Sequence, residues 1–415
     1  MDRPKILLPV LICVAAKSLL FFLYIYFCWD TYWNGDLTND LNGWIDFLSK
    51  TEKGQIPYID FSREYPPIAG FFFYFLRGVL PYHDFTSFAH FHAYLFTSID
   101  CINTVIFALI LKRMQVTRIY LPLLLFSLNL TTLILSPFRF EALLVLTILP
   151  GIYFLVIERI YLAAFVWGFG FNVKWFTAFL LLILVRRYFH CVKKVILLCA
   201  SFVLPIALVN IVLGFLVVQH GHSLSILLDP IKFHLDRALY WDTMIGATIM
   251  WGGPDWVEHY LDKFSFLLMI LSILILPGRS LSITAVVVGC SMLFLNRIYS
   301  PQFHLWFYPF LILEISRIYK QSEYEEETKR SEWLYYGREL TITFIALDFI
   351  NVSIFPFLFT KLGEEVHSFQ RFSAWEHGGL MATVNLWLVT SRTLLLAVLV
   401  TQLFRRKYFP TKFIG

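Results

Sequence analysis

Residues 192–218 read VKKVILLCASFVLPIALVNIVLGFLVV, and from Val195 to Val218 no side chain is charged. A helix crosses the hydrocarbon core of a bilayer with about 20 mainly apolar residues, so this stretch alone is long enough. Comparable stretches recur from Lys5 to Phe404. On the N-terminal side of the quoted run stand Arg186, Arg187, Lys193 and Lys194. Clusters of Lys and Arg mark cytoplasmic loops, which puts the polar residues 219 to 262, beyond its other end, outside.

Composition agrees. Of 415 residues 58% are hydrophobic and 15% charged, too apolar for a surface that water must wet throughout. The net charge of +5 is small, and the basic residues sit between apolar runs, as in Lys112-Arg113 and Arg405-Arg406-Lys407. That distribution suits membrane topology and not nucleic acid. The six cysteines, Cys13, Cys28, Cys101, Cys191, Cys199 and Cys290, lie in or beside apolar segments without paired spacing. Neither a disulfide framework nor a zinc site is indicated. The run from Lys5 to about Cys28 exceeds a signal-peptide core and lacks a small-residue cleavage site, so it reads as a retained first span.

Apolar runs fall at roughly 5–28, 66–81, 91–111, 119–137, 140–157, 160–185, 192–218, 263–277, 281–295, 303–317, 339–358 and 384–404. The expected fold is an all-α polytopic membrane protein of about 10–12 membrane helices, forming one integral membrane domain over residues 1–415. Basic clusters put the N-terminus, the loops 112–118, 186–194 and 318–338, and the C-terminus inside. Residues 66–81 and 91–111 then cannot both span, and 160–185 begins and ends on the same side. Both 66–81 and 160–185 are therefore expected to be broken or re-entrant, with Gly168, Gly170 and Lys174 in the middle of the second. Residues 29–65, 219–262 and 359–383 are left outside. The acidic stretch Glu323 to Glu332 reads as a solvated cytoplasmic loop. No internal repeat is visible, so an inverted-repeat transporter is not indicated.

The first outer segment, residues 29–67, reads WDTYWNGDLTNDLNGWIDFLSKTEKGQIPYIDFSREYPP. It gathers Asp30, Asp36, Asp40, Asp46, Asp60 and Glu64. Leu41, Trp44, Ile45 and Leu48 have helical spacing, giving a short amphipathic helix at the membrane surface with Asp40 at its start. An acid there is either a helix cap or a general base able to take the proton of an attacking hydroxyl. The residues alone do not choose among the acids. Tyr65-Pro66-Pro67 holds the chain extended before the next apolar segment.

The series Asp40, Gly54, Pro57, Tyr58, Asp60 and Glu64-Tyr65-Pro66-Pro67 resembles the membrane glycosyltransferases of the C-type fold (GT-C), in particular polyprenol-phosphate-mannose-dependent mannosyltransferases. The resemblance implies a large non-cytoplasmic first loop with its catalytic aspartate at Asp40, and Asp36 as second candidate. Arg139-Phe140-Glu141 is similar to an R-F-D-like element of that family, although Glu141 stands where aspartate is expected. An Arg139 to Glu141 pair that anchors a helix at the interface is the alternative. Gly168 to Lys174 resembles a G-x-G-x-x-x-K element. Lys174 would meet a phosphate as a point charge or snorkel to the cytoplasmic surface.

The stretch from Ile231 to Asp242, with His234 and Arg237, resembles an aromatic-H-x-x-R-x-L element. Residues three apart share a helical face, and basic groups on an outer loop suit an anionic leaving group. Ser300 to Pro309, SPQFHLWFYP, resembles an S-P-Q-Y-x-L-W-x-x-P element, in which Gln302 and His304 would face the catalytic cavity. His304 stands where an apolar residue is expected. Trp306 also fits an interfacial belt. The resemblance covers roughly residues 5–310, leaving 311–415 as additional C-terminal membrane helices.

What the resemblance implies is transfer of a hexose, mannose first, from a polyprenyl-phosphate-sugar donor to a lipid or glycolipid acceptor by inverting displacement. Asp60, Glu64, Arg139, Glu141, Lys174, His234, Arg237, Gln302 and His304 would contact substrate. Membrane lipids are the other expected partners, and no cofactor, metal or nucleic acid is expected. A secondary transporter or flippase of lipid-linked glycans, or a polymerase of them, is the alternative, with Lys174 as the feature that favours transport. The expected location is a prokaryotic plasma membrane with the site on its non-cytoplasmic face, since no endoplasmic reticulum retrieval signal is evident.

Overall fold

The computed structural model describes residues 6–28, 34–62, 64–235, 242–250, 256–276, 280–294, 296, 299–358 and 380–405. No strand occurs among them, and one isolated bridge joins Pro57 to Phe61. Among the described residues five helices are long and apolar enough to cross a membrane, and five shorter ones are apolar too. The chain is thus a helical, membrane-embedded protein. It divides into two compact units, one comprising Leu37–Ile106 with Ser136–Arg237 and the other Met1–Asp36 with Phe107–Leu135 and Ala238–Gly415.

The helices in order are α1 (Leu7–Cys28), α2 (Asn34–Glu52), α3 (Pro67–Leu76), α4 (Phe85–Arg113), α5 (Tyr120–Ser127), α6 (Leu130–Leu135), α7 (Glu141–Val156), α8 (Ile160–Phe171) and α9 (Thr177–Tyr188). There follow α10 (Val192–Gln219), α11 (Asp229–Leu235), α12 (Met244–Met250), α13 (Trp256–Ile275), α14 (Leu281–Phe294), α15 (His304–Ser322), α16 (Glu327–Val352) and α17 (Leu380–Arg405).

In the unit built on Leu37–Ile106 and Ser136–Arg237, α2 starts earlier than its apolar pattern suggests. Asp40 therefore lies in the second turn of α2 and does not cap it, because the polar residues from Asn34 onward also coil into the helix. The amphipathic reading holds otherwise: Leu41, Trp44, Phe47 and Leu48 are buried while Asp40 and Asp46 face out. After α2, Gly54 (φ +85°) and Tyr58 (φ +62°) turn the chain. A left-handed tyrosine is costly. It is held by burial and by its hydroxyl, which donates to the carbonyls of Tyr65 (2.9 Å) and Pro66 (3.1 Å). Pro66 is extended, and Pro67 supplies the first helical residue of α3, a position that has no amide partner to lose. At the next helix start the Asp84 carboxylate takes the Ser87 amide at 2.8 Å and opens α4.

Both segments expected to be interrupted are. Only ten residues of 66–81 are helical in α3, and 160–185 divides into α8 and α9 with a break over 172–176. Backbone groups freed by the break find partners, as buried ones must. Asn172 accepts the Ile68 amide at 2.9 Å on its carbonyl, and the Thr177 hydroxyl donates to the Trp167 carbonyl at 2.8 Å. Small residues let α7, α8 and α10 approach closely. A methyl on Gly168 would collide with the Phe202 carbonyl and Pro205, and one on Gly151 with the Trp167 indole. By contrast α10 buries only 17% of its apolar window within the protein, the behaviour of a helix that faces lipid.

In the other unit α14 is buried along almost its whole length between α13 and α15. A methyl on Gly289 would fall 2.8 Å from the Phe307 ring, so only glycine admits α15 here. Residues 119–137, read as one run, break between α5 and α6. Asn129 draws the chain out of α5 and its side chain takes the Thr132 amide at 2.8 Å. The first turn of α6 is closed by Asp348 of α16, which accepts the amides of Leu130 (2.6 Å) and Thr131 (3.1 Å). The expected loop 318–338 also proves shorter. Helix α15 continues to Ser322 and α16 starts at Glu327, so much of the acidic stretch is helical. Glu, Lys and Arg are good helix formers, and the charge run misled as a loop signal.

Candidate functional site

Arg139 and Glu141 flank the join between the turn Ser136–Phe138 and α7, and both are buried. They do not pair with each other. Arg139 places a guanidinium nitrogen 2.9 Å from Oδ2 of Asp40, with the acid side chain 44% exposed and the arginine side chain 8% exposed. Glu141 pairs instead with Lys174, from the break between α8 and α9. Lys174 is buried with it and so does not snorkel: the nearest compensating charge lies in the protein interior. An ion taken into apolar surroundings needs such a partner.

An aromatic cluster separates and supports the two pairs. The Lys174 ammonium lies 4.6 Å from the Phe140 ring centroid and 5.7 Å from that of Tyr65. Tyr65 meets Phe140 edge-on at 4.6 Å and stacks with Trp44 of α2 at 5.7 Å; Trp44 in turn stacks on Phe73 of α3 at 3.9 Å. Trp44 sits one turn after Asp40, so this cluster fixes the helix that carries the exposed acid. Burial, and then the charges of Asp40, Glu64 and Glu141, hold the Tyr65 phenol well above its ordinary ionisation range.

His92 of α4 ties the backbone to the same place. Its Nδ1 lies 2.8 Å from the Pro137 carbonyl, two residues before Arg139, and its ring stacks with Phe73 and Phe96. Sequence reasoning missed His92, and only its position inside an apolar helix could have flagged it.

The remaining candidates take varied places. Asp60 closes its own turn by accepting the Ile56 amide at 2.6 Å, and its other oxygen lies 3.3 Å from Nε2 of His222. The Glu64 carbonyl lies 3.0 Å from Nε2 of His234, whose ring meets Trp175 edge-on at 5.1 Å. His234 thus touches Glu64 and Trp175, the residues next in sequence to Tyr65 and Lys174. Asp36 lies one turn before Asp40 on α2. Arg237 lies outside the described residues. Gln302 and His304 belong to the other unit and are buried there. Both ring nitrogens of His304 are occupied, Nδ1 by the Tyr308 hydroxyl at 2.8 Å and Nε2 by that of Tyr299.

Chemically, the arrangement offers one accessible carboxylate, fixed by a buried cation, beside a buried and mutually neutralised pair. The contact with Arg139 uses Oδ2 of Asp40, and the acid side chain is 44% exposed, so the carboxylate can also accept from a hydroxyl. No group of three or more His, Cys, Asp or Glu side chains suited to hold a metal occurs among the described residues. No protein-family model, no curated protein and no solved structure matches the chain.

Proposed function

We propose that this protein is a membrane glycosyltransferase of GT-C-like architecture. It moves a hexose, mannose first, from a polyprenyl-phosphate sugar to a lipid-linked or glycolipid acceptor on the non-cytoplasmic face of the membrane. The observation that carries the reading is the Asp40–Arg139 pair: an exposed carboxylate on a rigidly packed helix, oriented by a guanidinium that is itself buried. A general base needs that combination of access and fixed position.

In the proposed reaction the acceptor hydroxyl donates to Oδ1 of Asp40 and its oxygen attacks the anomeric carbon from the face opposite the phosphate. As the new C–O bond forms, the bond to the phosphate oxygen breaks and its electron pair leaves with the polyprenyl phosphate. The hydroxyl proton passes to Asp40 and then to water. Arg139 holds Oδ2 so that the lone pairs of Oδ1 keep their aim. The loop that carries His234, with Arg237 following it, supplies positive charge for the departing phosphate. Lys174 is already neutralised by Glu141, so its part is to hold α7 against the break after α8.

One observation favours a second reading, a transporter or flippase of lipid-linked glycans: the Glu141–Lys174 pair is buried among apolar helices, where ionisable groups often mark a transport path. The test is release of polyprenyl phosphate by purified protein from synthetic polyprenyl-phosphate mannose, beside Asp40→Asn. Sugar transfer lost in the variant supports the transferase. Movement of intact lipid-linked glycan across vesicles, without transfer, supports the transporter.

A further inference from the structure

We propose that the cleft between the start of α16 and the end of α17 binds a phospholipid whose headgroup carries both a phosphate and a primary ammonium, as in phosphatidylethanolamine. The inference goes beyond the glycosyltransferase reading and does not depend on it. The two helices meet where the Tyr336 hydroxyl of α16 donates to the Gln402 carbonyl of α17 at 2.9 Å. Beside that contact a cleft of about 750 Å³ opens. Its lining carries two guanidiniums, Arg338 and Arg405, two carboxylates, Glu332 and Glu339, and the polar side chains of Tyr335 and Gln402.

Charge narrows the ligand. Arginine forks suit a phosphate, but a phosphate alone would be repelled by the two glutamates, and an ammonium alone by the two arginines. A headgroup with both charges meets a partner for each. Gln402 narrows it further. Its side chain is buried (8% exposed), and its side-chain carbonyl oxygen has no hydrogen-bond partner among the described residues. A buried acceptor in that condition costs free energy until a donor reaches it. A primary ammonium brings three N–H donors, whereas the quaternary ammonium of a choline lipid brings none.

Depth and surroundings point to a lipid as the source of that headgroup. Helix α17 is long and apolar enough to cross a membrane, buries only 28% of its apolar window within the protein, and ends at Arg405. A cleft at that end sits at the level of the lipid headgroups. Along α16, Tyr335, Arg338, Ile342, Ile345 and Phe349 follow at intervals of three and four, so they share one helical face, and all are exposed. On α17 the same spacing and exposure hold for Leu394, Val398, Thr401 and Arg405. Each stripe is polar at the cleft and apolar toward the middle of its helix. A lipid whose phosphate meets the arginines would lay its acyl chains on Ile342, Ile345 and Leu394, so the site takes a whole lipid and not a free headgroup.

The experiment is native mass spectrometry of the full chain in detergent, offered equal amounts of phosphatidylethanolamine, phosphatidylcholine and phosphatidylglycerol with matched acyl chains, and separately free O-phosphoethanolamine. The expected result is retention of phosphatidylethanolamine about tenfold over phosphatidylcholine, the size of one charge-assisted hydrogen bond, and no retention of O-phosphoethanolamine. Arg338→Gln combined with Arg405→Gln removes two exposed charges, so it leaves the lipid-free melting midpoint unchanged while the retention is lost. Gln402→Leu brings phosphatidylethanolamine down to the level of phosphatidylcholine. Equal retention of the ethanolamine and choline lipids in wild type, preferential retention of phosphatidylglycerol, or retention unchanged in either variant overturns the site. O-Phosphoethanolamine held as well as the lipid overturns a lipid as its occupant.

Discussion

Arg139 and Asp40 meet at 2.9 Å, the base of the pair buried and the acid half exposed. On the proposed reading Arg139 is a positioning residue: its forked, planar cation would fix one carboxylate oxygen and leave the other to substrate. Lysine carries the charge without that fork. Arg139→Lys is therefore expected to lower kcat for sugar transfer by about 10²-fold, the scale of a misplaced catalytic group, with little change in KM. Steady-state kinetics of the purified variant check this; a change confined to KM would show that Arg139 binds substrate and does not aim the base.

The buried Glu141–Lys174 pair gives a stability prediction. Removing one partner leaves an uncompensated charge among apolar helices, and about 3–5 kcal/mol is the usual loss. Glu141→Leu or Lys174→Met alone is expected to lower the denaturation midpoint strongly, and the double variant to recover most of the difference. Additive losses in such a double-mutant cycle would contradict the pairing.

Close packing of α8 on α10 depends on Gly168, whose added methyl would meet a backbone carbonyl that cannot rotate away. Gly168→Ala is expected to destabilise by about 1–3 kcal/mol, the usual cost of overpacking. A thermal shift assay in detergent reads the loss, and Gly214→Ala, where the nearest atom lies 3.4 Å away, serves as the control.

Tyr65 sets an alkaline limit. Its phenol is held neutral by burial and by three neighbouring carboxylates, so its folded pKa lies above the unfolded value. The sign follows: the stabilisation is complete below the ordinary value of 10.0 and is lost as pH rises beyond it toward the folded value. Wild type is expected to lose stability in that window, and Tyr65→Phe to lose less of it. Unfolding midpoints measured from neutral to strongly alkaline pH compare the two.

Local sequence carried much of this fold, and tertiary pairing carried the rest. The interruption after Phe171 was legible because Gly168, Gly170 and Lys174 disturb an apolar run. The short α3 was legible in its two prolines. Helix α2 was legible in the spacing of Leu41, Trp44 and Leu48, but not its start, since Asn and Gly at 34 and 35 are weak helix signals that packing of the following turns overrides. In the candidate site Asp40, Arg139, Glu141 and Lys174 were all singled out. Their partners were not: adjacency in sequence suggested Arg139 with Glu141, whereas chain folding brings each a partner from a different element. The break before Leu130 was invisible for the same reason, because the carboxylate that caps α6 comes from α16.

The central claim is that Asp40 serves as the base of a lipid-phosphate-dependent sugar transfer. The most direct measurement is release of polyprenyl phosphate from synthetic polyprenyl-phosphate mannose by the purified protein with membrane lipid acceptors, wild type beside Asp40→Asn, with donor binding measured in parallel. The account predicts turnover by wild type, a fall of about 10²–10⁴-fold in Asp40→Asn, and unchanged donor binding. No turnover by wild type with mannose, glucose or arabinose donors, or full activity in the variant, would contradict it.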